Sequence, residues 1–343
     1  VERKVVIEQP RQPDAPTRPS PRPAGLLLRR LVSVLIGVGM LALALWVLQR
    51  WAAHVSLADL EAELAAIPAW RILLAILFSF ASFVALFGYE YYACQFIGRP
   101  IRWSQAGLIS FITQSIAHAV GFALFVGATV RYKLYSAHGF GLYEVAKIQV
   151  FFTATFGLGC LTLVGGTLLI EPYVLARAAG VSEAWWRLLG AGLLGVVLAV
   201  LVWGTWFHRP IRVGGQVLVL PCARVTALQI GLGVTDLACV AAALHVLLPA
   251  ELGLGYVETL GVFVAAITLG LISHVPGSLG VFEGAALVLI DPPAEATAAV
   301  IGALIAFRAC YYMLPLLLGA SLFGVLEARR WLAAGRAVGE GRS

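Results

Sequence analysis

The chain has 343 residues, of which 60% are hydrophobic and 12% charged, and its mean hydropathy is +0.90. Soluble domains carry about 25% charged residues, so the composition excludes an ordinary soluble fold and indicates an integral membrane protein. The formal net charge of +6 is then read through loop positions, and no basic face interleaved with aromatics points to nucleic acid. Cys94, Cys160, Cys222, Cys239 and Cys310 fall singly, without the pairing that a disulfide framework or metal site would need.

Residues 1–24 are polar and contain Pro10, Pro13, Pro16, Pro19, Pro21 and Pro23 among scattered arginines. Such a segment cannot bury a core and is expected to be a disordered tail, with Arg29 and Arg30 beyond it positioned to touch anionic lipid. The first apolar run, 31–48, is long enough to span and lacks a small-residue cleavage pattern before Arg50, so it is expected to be retained. Further apolar stretches follow at about 71–94, 105–130, 145–170, 188–207, 226–249, 259–290 and 296–324. A basic tail closes the chain at 327–343.

Shifting the first four stretches by 156 residues places each on one of the last four and carries His118 onto His274 and Gly121 onto Gly277. This predicts two membrane repeats, 25–180 and 181–326. The expected class is all-α, with three transmembrane helices and one re-entrant broken hairpin in each half, the halves being inverted. Charge favours this arrangement over eight full spans. With the N-terminus cytoplasmic, the hairpin topology puts Arg99, Arg102, Arg131, Lys133, Lys147, Arg209, Arg212 and Arg224 inside and leaves Arg50, Arg71, Arg177 and Arg187 outside. Both termini are then cytoplasmic.

The stretch 271–290 carries the strongest local signal. Pro276 removes a donor and disfavours helix at Val275, while Gly277 and Gly280 accept turn dihedrals, so the expectation is helix, tight turn, helix. Broken backbone at bilayer depth survives only against protein or a polar cavity, which makes this the leading site candidate. Glu90, Asp236, Glu283 and Arg308 are ionisable groups in or near apolar runs, and Arg308 is expected to pair with Asp236 or Glu283. Glu90, among Tyr89, Tyr91 and Tyr92, fits an interfacial anchor as well as a ligand. His118 and His274 suit turn capping or proton relay, and Thr113, Gln114 and Ser115 form a polar strip suited to a headgroup or to helix contact. The glycines at 190, 192, 195, 231 and 233 are read as packing contacts. The chain has no phosphate-binding loop, nucleophile elbow or His-Glu-x-x-His motif, and neither an enzyme nor a metal or other cofactor is expected.

The segment Ser273-His-Val-Pro-Gly-Ser-Leu-Gly-Val-Phe-Glu-Gly284, with Gly127-Ala-Thr-Val-Arg-Tyr-Lys-Leu-Tyr135 and Gly139, resembles the lysylphosphatidylglycerol synthase transmembrane-region family. That family includes the flippase half of the multiple-peptide-resistance-factor proteins. The resemblance covers about 31–326 and implies movement of aminoacylated phosphatidylglycerol to the outer leaflet of a bacterial inner membrane. By motif it carries over Arg131, His274, Pro276, Gly277, Gly280 and Glu283. Ser278 stands where the family pattern usually has a second glycine, and no aminoacyl-transferring domain is present, so the chain is expected not to charge lipid itself. On this reading Arg131 and Lys133 attract a lipid phosphate at the inner face, and Glu283 or Asp236 receives a cationic headgroup. The alternatives are a membrane subunit for a separate aminoacyl-phosphatidylglycerol synthase and a structural scaffold; a homo-oligomer is left open.

Overall fold

The computed structural model describes residues 65–120, 123–206, 211–213, 216–218, 221–273 and 276–340. The tail 1–24, the apolar run 31–48, Gly121, His274 and the last three residues lie outside them. The described chain is helical: α1 (Ala69–Phe96), α2 (Trp103–Val120), α3 (Ala123–Ser136), α4 (Leu142–Ile170), α5 (Tyr173–Ala179), α6 (Glu183–Trp206), α7 (Ala223–Leu247), α8 (Tyr256–Ser273), α9 (Val281–Ile290), α10 (Ala294–Arg308) and α11 (Leu314–Glu340). Short 3-10 turns stand at Ala250–Leu252 and Pro276–Ser278, and a π-helical segment, Ala309–Met313, joins α10 to α11. The all-α expectation holds, and the described residues add only a small antiparallel hairpin of β1 (Ile211–Val213) and β2 (Gln216–Leu218) between α6 and α7. Its signal is legible in the sequence, since Gly214-Gly215 separates Ile-Arg-Val from Gln-Val-Leu, two short runs containing β-branched residues on either side of a turn dipeptide.

Among the described residues five helices are long and apolar enough to cross a membrane: α1, α4, α6, α7 and the continuous helix from Ala296 to Leu332. α1, α4, α6 and the last of these present large apolar side chains outward, whereas α7 is the most buried of the five. On α1, Leu73, Leu77, Phe80 and Val84 form an exposed stripe at helical spacing. On α6, exposed Trp185 and Trp206 mark the two ends, about 32 Å apart at 1.5 Å per residue, which matches a hydrocarbon core of about 30 Å with indole rings at both interfaces.

The apolar stretches at 105–130 and 259–290 are each divided into two helices, and neither supplies one of the five spans. In each, the two helices fold back and pack together, α2 on α3 (hairpin A) and α8 on α9 (hairpin B). The hairpins start from opposite ends of the bundle. The base of A lies at the C-terminal end of α1, where Arg99 Nη2 donates to Gly139 O (3.2 Å) and Arg99 pairs with Glu144 (3.0 Å). The base of B lies at the other end: Arg71, in the first turn of α1, donates to Leu248 O (3.3 Å), and Arg177 donates to Ile290 O (3.3 Å). The tips meet, because a Cβ on Gly277 would lie 3.1 Å from Ala119 O.

Small residues allow the remaining crossings. Gly159 of α4 and Gly233 of α7 touch backbone to backbone: a Cβ on Gly159 would stand 2.4 Å from Gly233 C. Gly190 of α6 packs on Gly165 of α4 in the same way, whereas Gly192, Gly195 and Gly231 face open space. Hence only Gly190 and Gly233, of the five glycines read as packing contacts, make close ones. Gly159→Ala should force α4 and α7 apart and lower stability by about 1–3 kcal/mol, read as a lower thermal unfolding midpoint in detergent. Gly157→Ala, which meets nothing within 4 Å, should leave the midpoint unchanged or raise it. Equal midpoints for the two variants would contradict this packing.

Candidate functional site

Hairpin B turns through three left-handed residues, Gly277 (φ 61°), Ser278 (φ 52°) and Gly280 (φ 76°). Glycine adopts such angles freely, whereas a residue with a Cβ does so at a cost. Ser278 fits because α8 carries Gly270 opposite it, where a Cβ would stand 2.6 Å from Ser278 Cβ. The turn leaves carbonyls without helical partners, and Arg308 supplies them. Its Nη1 donates to Gly277 O (2.6 Å) and its Nη2 to Ser278 O (3.2 Å), while Nε donates to Glu283 Oε1. The other carboxylate oxygen, Glu283 Oε2, accepts from Gly280 N–H (2.8 Å) and so caps α9. The guanidinium carbon lies 4.8 Å from the Tyr312 ring centroid and 5.4 Å from that of Phe282. Arg308 is 1% exposed, whereas the Glu283 side chain keeps 26% of its surface open.

Hairpin A is anchored by a second ion pair. Arg131 of α3 donates from Nε (2.9 and 3.1 Å) and Nη2 (2.7 Å) to the carboxylate of Glu90 on α1, and from Nη1 to Gln149 Oε1 on α4. It also faces the Phe152 ring at 4.7 Å. Both charges are buried, Arg131 at 1% and Glu90 at 0% exposure. Glu90 is therefore not an interfacial anchor, and Arg131 is neutralised inside the bundle instead of facing a phosphate at the surface. The physical reason is that α3 and α1 each bring a charge into the helix packing, away from water, where each charge satisfies the other. Lys133 sits nearer the surface, its Nζ 3.1 Å from Glu327 Oε2 on α11.

Asp236 is not the partner of Arg308; of the two candidates, Glu283 is. Asp236 lies in α7, 3% exposed, and accepts from Ser82 Oγ (2.5 Å) and Tyr89 Oη (3.1 Å), both on α1. His118, near the tip of hairpin A, stacks on Tyr311 of the π segment at 5.7 Å between centroids. Thr113, Gln114 and Ser115 are buried on α2, and among the described residues Thr113 Oγ1, Gln114 Nε2, Ser115 Oγ and His118 Nδ1 meet no hydrogen-bond partner. The residues that sequence reasoning did not place in the site are Gln149, Ser82, Tyr89, Tyr311 and Tyr312. Gln149 had a usable signal, as a polar residue inside an apolar span.

Of the residues expected in the site, Pro276, Gly277, Gly280, Glu283 and Arg308 converge on one turn. Arg131 and Glu90 form a separate centre, and Asp236 a third. His274 lies outside the described residues. Among those residues no group of three or more His, Cys, Asp or Glu side chains is placed to hold a metal ion.

No family model matches the chain. Relatives do. An uncharacterized protein of Synechocystis sp., slr0712, is 28% identical over 308 residues, covering 88% of this chain and 95% of that protein. The inner membrane protein YbhN of Escherichia coli is 30% identical over 244 residues, covering 70% of this chain and 75% of YbhN. The chain belongs to the YbhN family. The YbhN relationship and the five apolar helices make it a multi-pass inner membrane protein.

Arg308 should be the most sensitive residue of the site in this YbhN-family chain. Arg308→Ala leaves Glu283 and two turn carbonyls without their donor, and an expected loss of about 3–5 kcal/mol should appear as a lower unfolding midpoint and poor expression. Arg308→Lys should recover little, because one ammonium cannot span Glu283 and both carbonyls. A wild-type midpoint for Arg308→Ala would show that the turn does not depend on it.

Proposed function

We propose that this YbhN-family protein is a lipid translocase that carries aminoacylated phosphatidylglycerol, or a related phospholipid, from the inner to the outer leaflet. The observation that carries this reading is the meeting of two broken-helix hairpins from opposite ends of the bundle, Gly277 against Ala119, each anchored by an Arg–Glu pair. Transporters with inverted repeats place substrate near the midplane, between discontinuous helices whose ends and freed backbone groups meet a polar headgroup. The 156-residue correspondence in the sequence supports two such repeats. The likeness of the Pro276–Glu283 segment to the lysylphosphatidylglycerol synthase transmembrane region supports the lipid class. The tips abut, so the headgroup passes when they separate, and the acyl chains stay in lipid.

Within this reading Glu283 receives the cationic part of the headgroup, because it combines a carboxylate at the tip with a partly open side chain. Lys133, near the cytoplasmic surface, meets the phosphate. Arg131 holds hairpin A to α1. A separate aminoacyltransferase that supplies the charged lipid is the partner this function implies.

The test is headgroup accessibility in reconstituted vesicles that contain aminoacylated or fluorescent phosphatidylglycerol. Protein-containing vesicles should equilibrate the headgroup several-fold faster than empty ones, and Glu283→Gln should slow the aminoacylated lipid more than the anionic one. Equal rates in protein-containing and empty vesicles would remove the translocase reading and favour a lipid-presenting subunit or scaffold.

The orientation proposed with this function places both termini and the 131–147 segment in the cytoplasm. A single cysteine at Ser136, exposed at the end of α3, in a cysteine-free background should react only from the cytoplasmic side. Labelling from the periplasm would invert the assignment.

A further inference from the structure

Two carboxylates are fully buried among the described residues, Glu90 and Asp236. Glu90 is matched by Arg131, but among the described residues Asp236 is met by neutral hydroxyls alone, Ser82 Oγ at 2.5 Å and Tyr89 Oη at 3.1 Å. The titratable groups around it are Tyr89 of α1, Tyr311 of the π segment and Cys239 on its own helix, with Cys160 of α4 beside Tyr89. None of these carries a positive charge. Arg308 at the end of α10 is turned to the hairpin B carbonyls, and His245, towards the end of α7, is engaged with Thr259 of α8 (2.9 Å). An ionised carboxylate enclosed in this way is unfavourable in a low-dielectric interior, and one proton relieves it.

The position of Asp236 gives that proton a mechanical consequence. Tyr89, which holds Oδ2, directly precedes Glu90, the anchor of hairpin A. Tyr311, beside Asp236, belongs to the same continuous helix as Arg308, the anchor of hairpin B, and is also the residue on which His118 of hairpin A stacks. A change at Asp236 therefore reaches both anchors through residues in direct contact with or adjacent to them.

We propose that Asp236 is a proton-binding site and that lipid movement is coupled to its protonation. The proposal rests on the translocase reading. A proton taken from the aqueous side forms an O–H bond at one carboxylate oxygen, which removes the charge and turns that oxygen from acceptor to donor. The facing hydroxyl must then accept. Ser82 can do so while donating to the carbonyl four residues earlier, as Ser79 already does to Ala75 O (2.7 Å) on the same helix. The contact between α1 and α7 is thus written in two hydrogen-bond patterns, one for each protonation state, and the return of the proton to the opposite side resets it.

The experiment measures the leaflet distribution of aminoacylated phosphatidylglycerol in vesicles reconstituted with the full chain, with and without an imposed pH gradient. For one proton per lipid, a gradient of about one pH unit should shift the inner-to-outer ratio by up to about tenfold. Asp236→Asn should abolish that response, and Asp236→Glu, which keeps the carboxyl, should retain part of it. Should Asp236→Asn fail to fold, Ser82→Ala serves in its place: loss of a donor that favours the ionised form should move the pH of half-maximal flux upward. Lipid movement that ignores the gradient would overturn the coupling and leave the translocase standing. A gradient response that survives in Asp236→Asn, or an unmoved flux profile in Ser82→Ala, would overturn the assignment to Asp236. Equal rates in wild-type and empty vesicles would overturn both readings together.

Discussion

The structure depends on Arg308. A helix broken inside a bilayer exposes carbonyls that no water can satisfy, and each unsatisfied group is costly there. Arg308 answers this from another helix, with one planar fork that reaches Gly277 O, Ser278 O and the Glu283 carboxylate together. The carboxylate in turn caps α9 through Gly280 N–H, so one guanidinium fixes the turn, the start of the returning helix and the distance between them. The rings of Phe282 and Tyr312 lie against the guanidinium and help to hold the charge in place. The π segment begins directly after Arg308. Such segments add a residue to the turn and re-aim the side chains beside it, and here they bring Tyr311 and Tyr312 into the core.

Hairpin A uses the same chemistry in a different arrangement. Its arginine lies in the hairpin itself, and the carboxylate comes from α1, with Gln149 of α4 completing the fork. Buried ion pairs add little net stability compared with a well-packed apolar core, but they tolerate only one geometry. For two hairpins that meet tip to tip from opposite ends of the bundle, fixed geometry is the property that matters. The pairs fix how each hairpin sits against the bundle, and the contact of Gly277 with Ala119 O is where the two hairpins meet.

Close helix crossings supply the frame. Because lipid is as apolar as leucine, helices in a membrane gain from close backbone approach and little from hydrophobic burial. The Gly159–Gly233 and Gly165–Gly190 contacts bring α7 and α6 onto α4. Large aliphatic residues are left free to face outward, as they do along α1 and α6.

The sequence by itself determined the depth preference of each segment and the places where a helix must stop. Hydropathy located all five described spans, and Pro276, Gly277 and Gly280 dictated a turn because proline cannot continue helical hydrogen bonding and glycine freely leaves helical dihedrals. Composition also announced that the charges within apolar runs would be paired. It could not say with what. Glu90 and Arg131 are 41 residues apart, Glu283 and Arg308 are 25 apart, and Ser82 and Asp236 are 154 apart. Nothing local favours Glu283 over Asp236 for Arg308, and the tyrosines flanking Glu90 suggested an interface that the fold does not give it. Only the tertiary structure decided which helix faces meet. Hydrophobicity fixes how deep a residue lies, whereas the rotation of each helix about its axis follows from packing against neighbours distant in the chain, and that rotation determines which buried charge finds which partner.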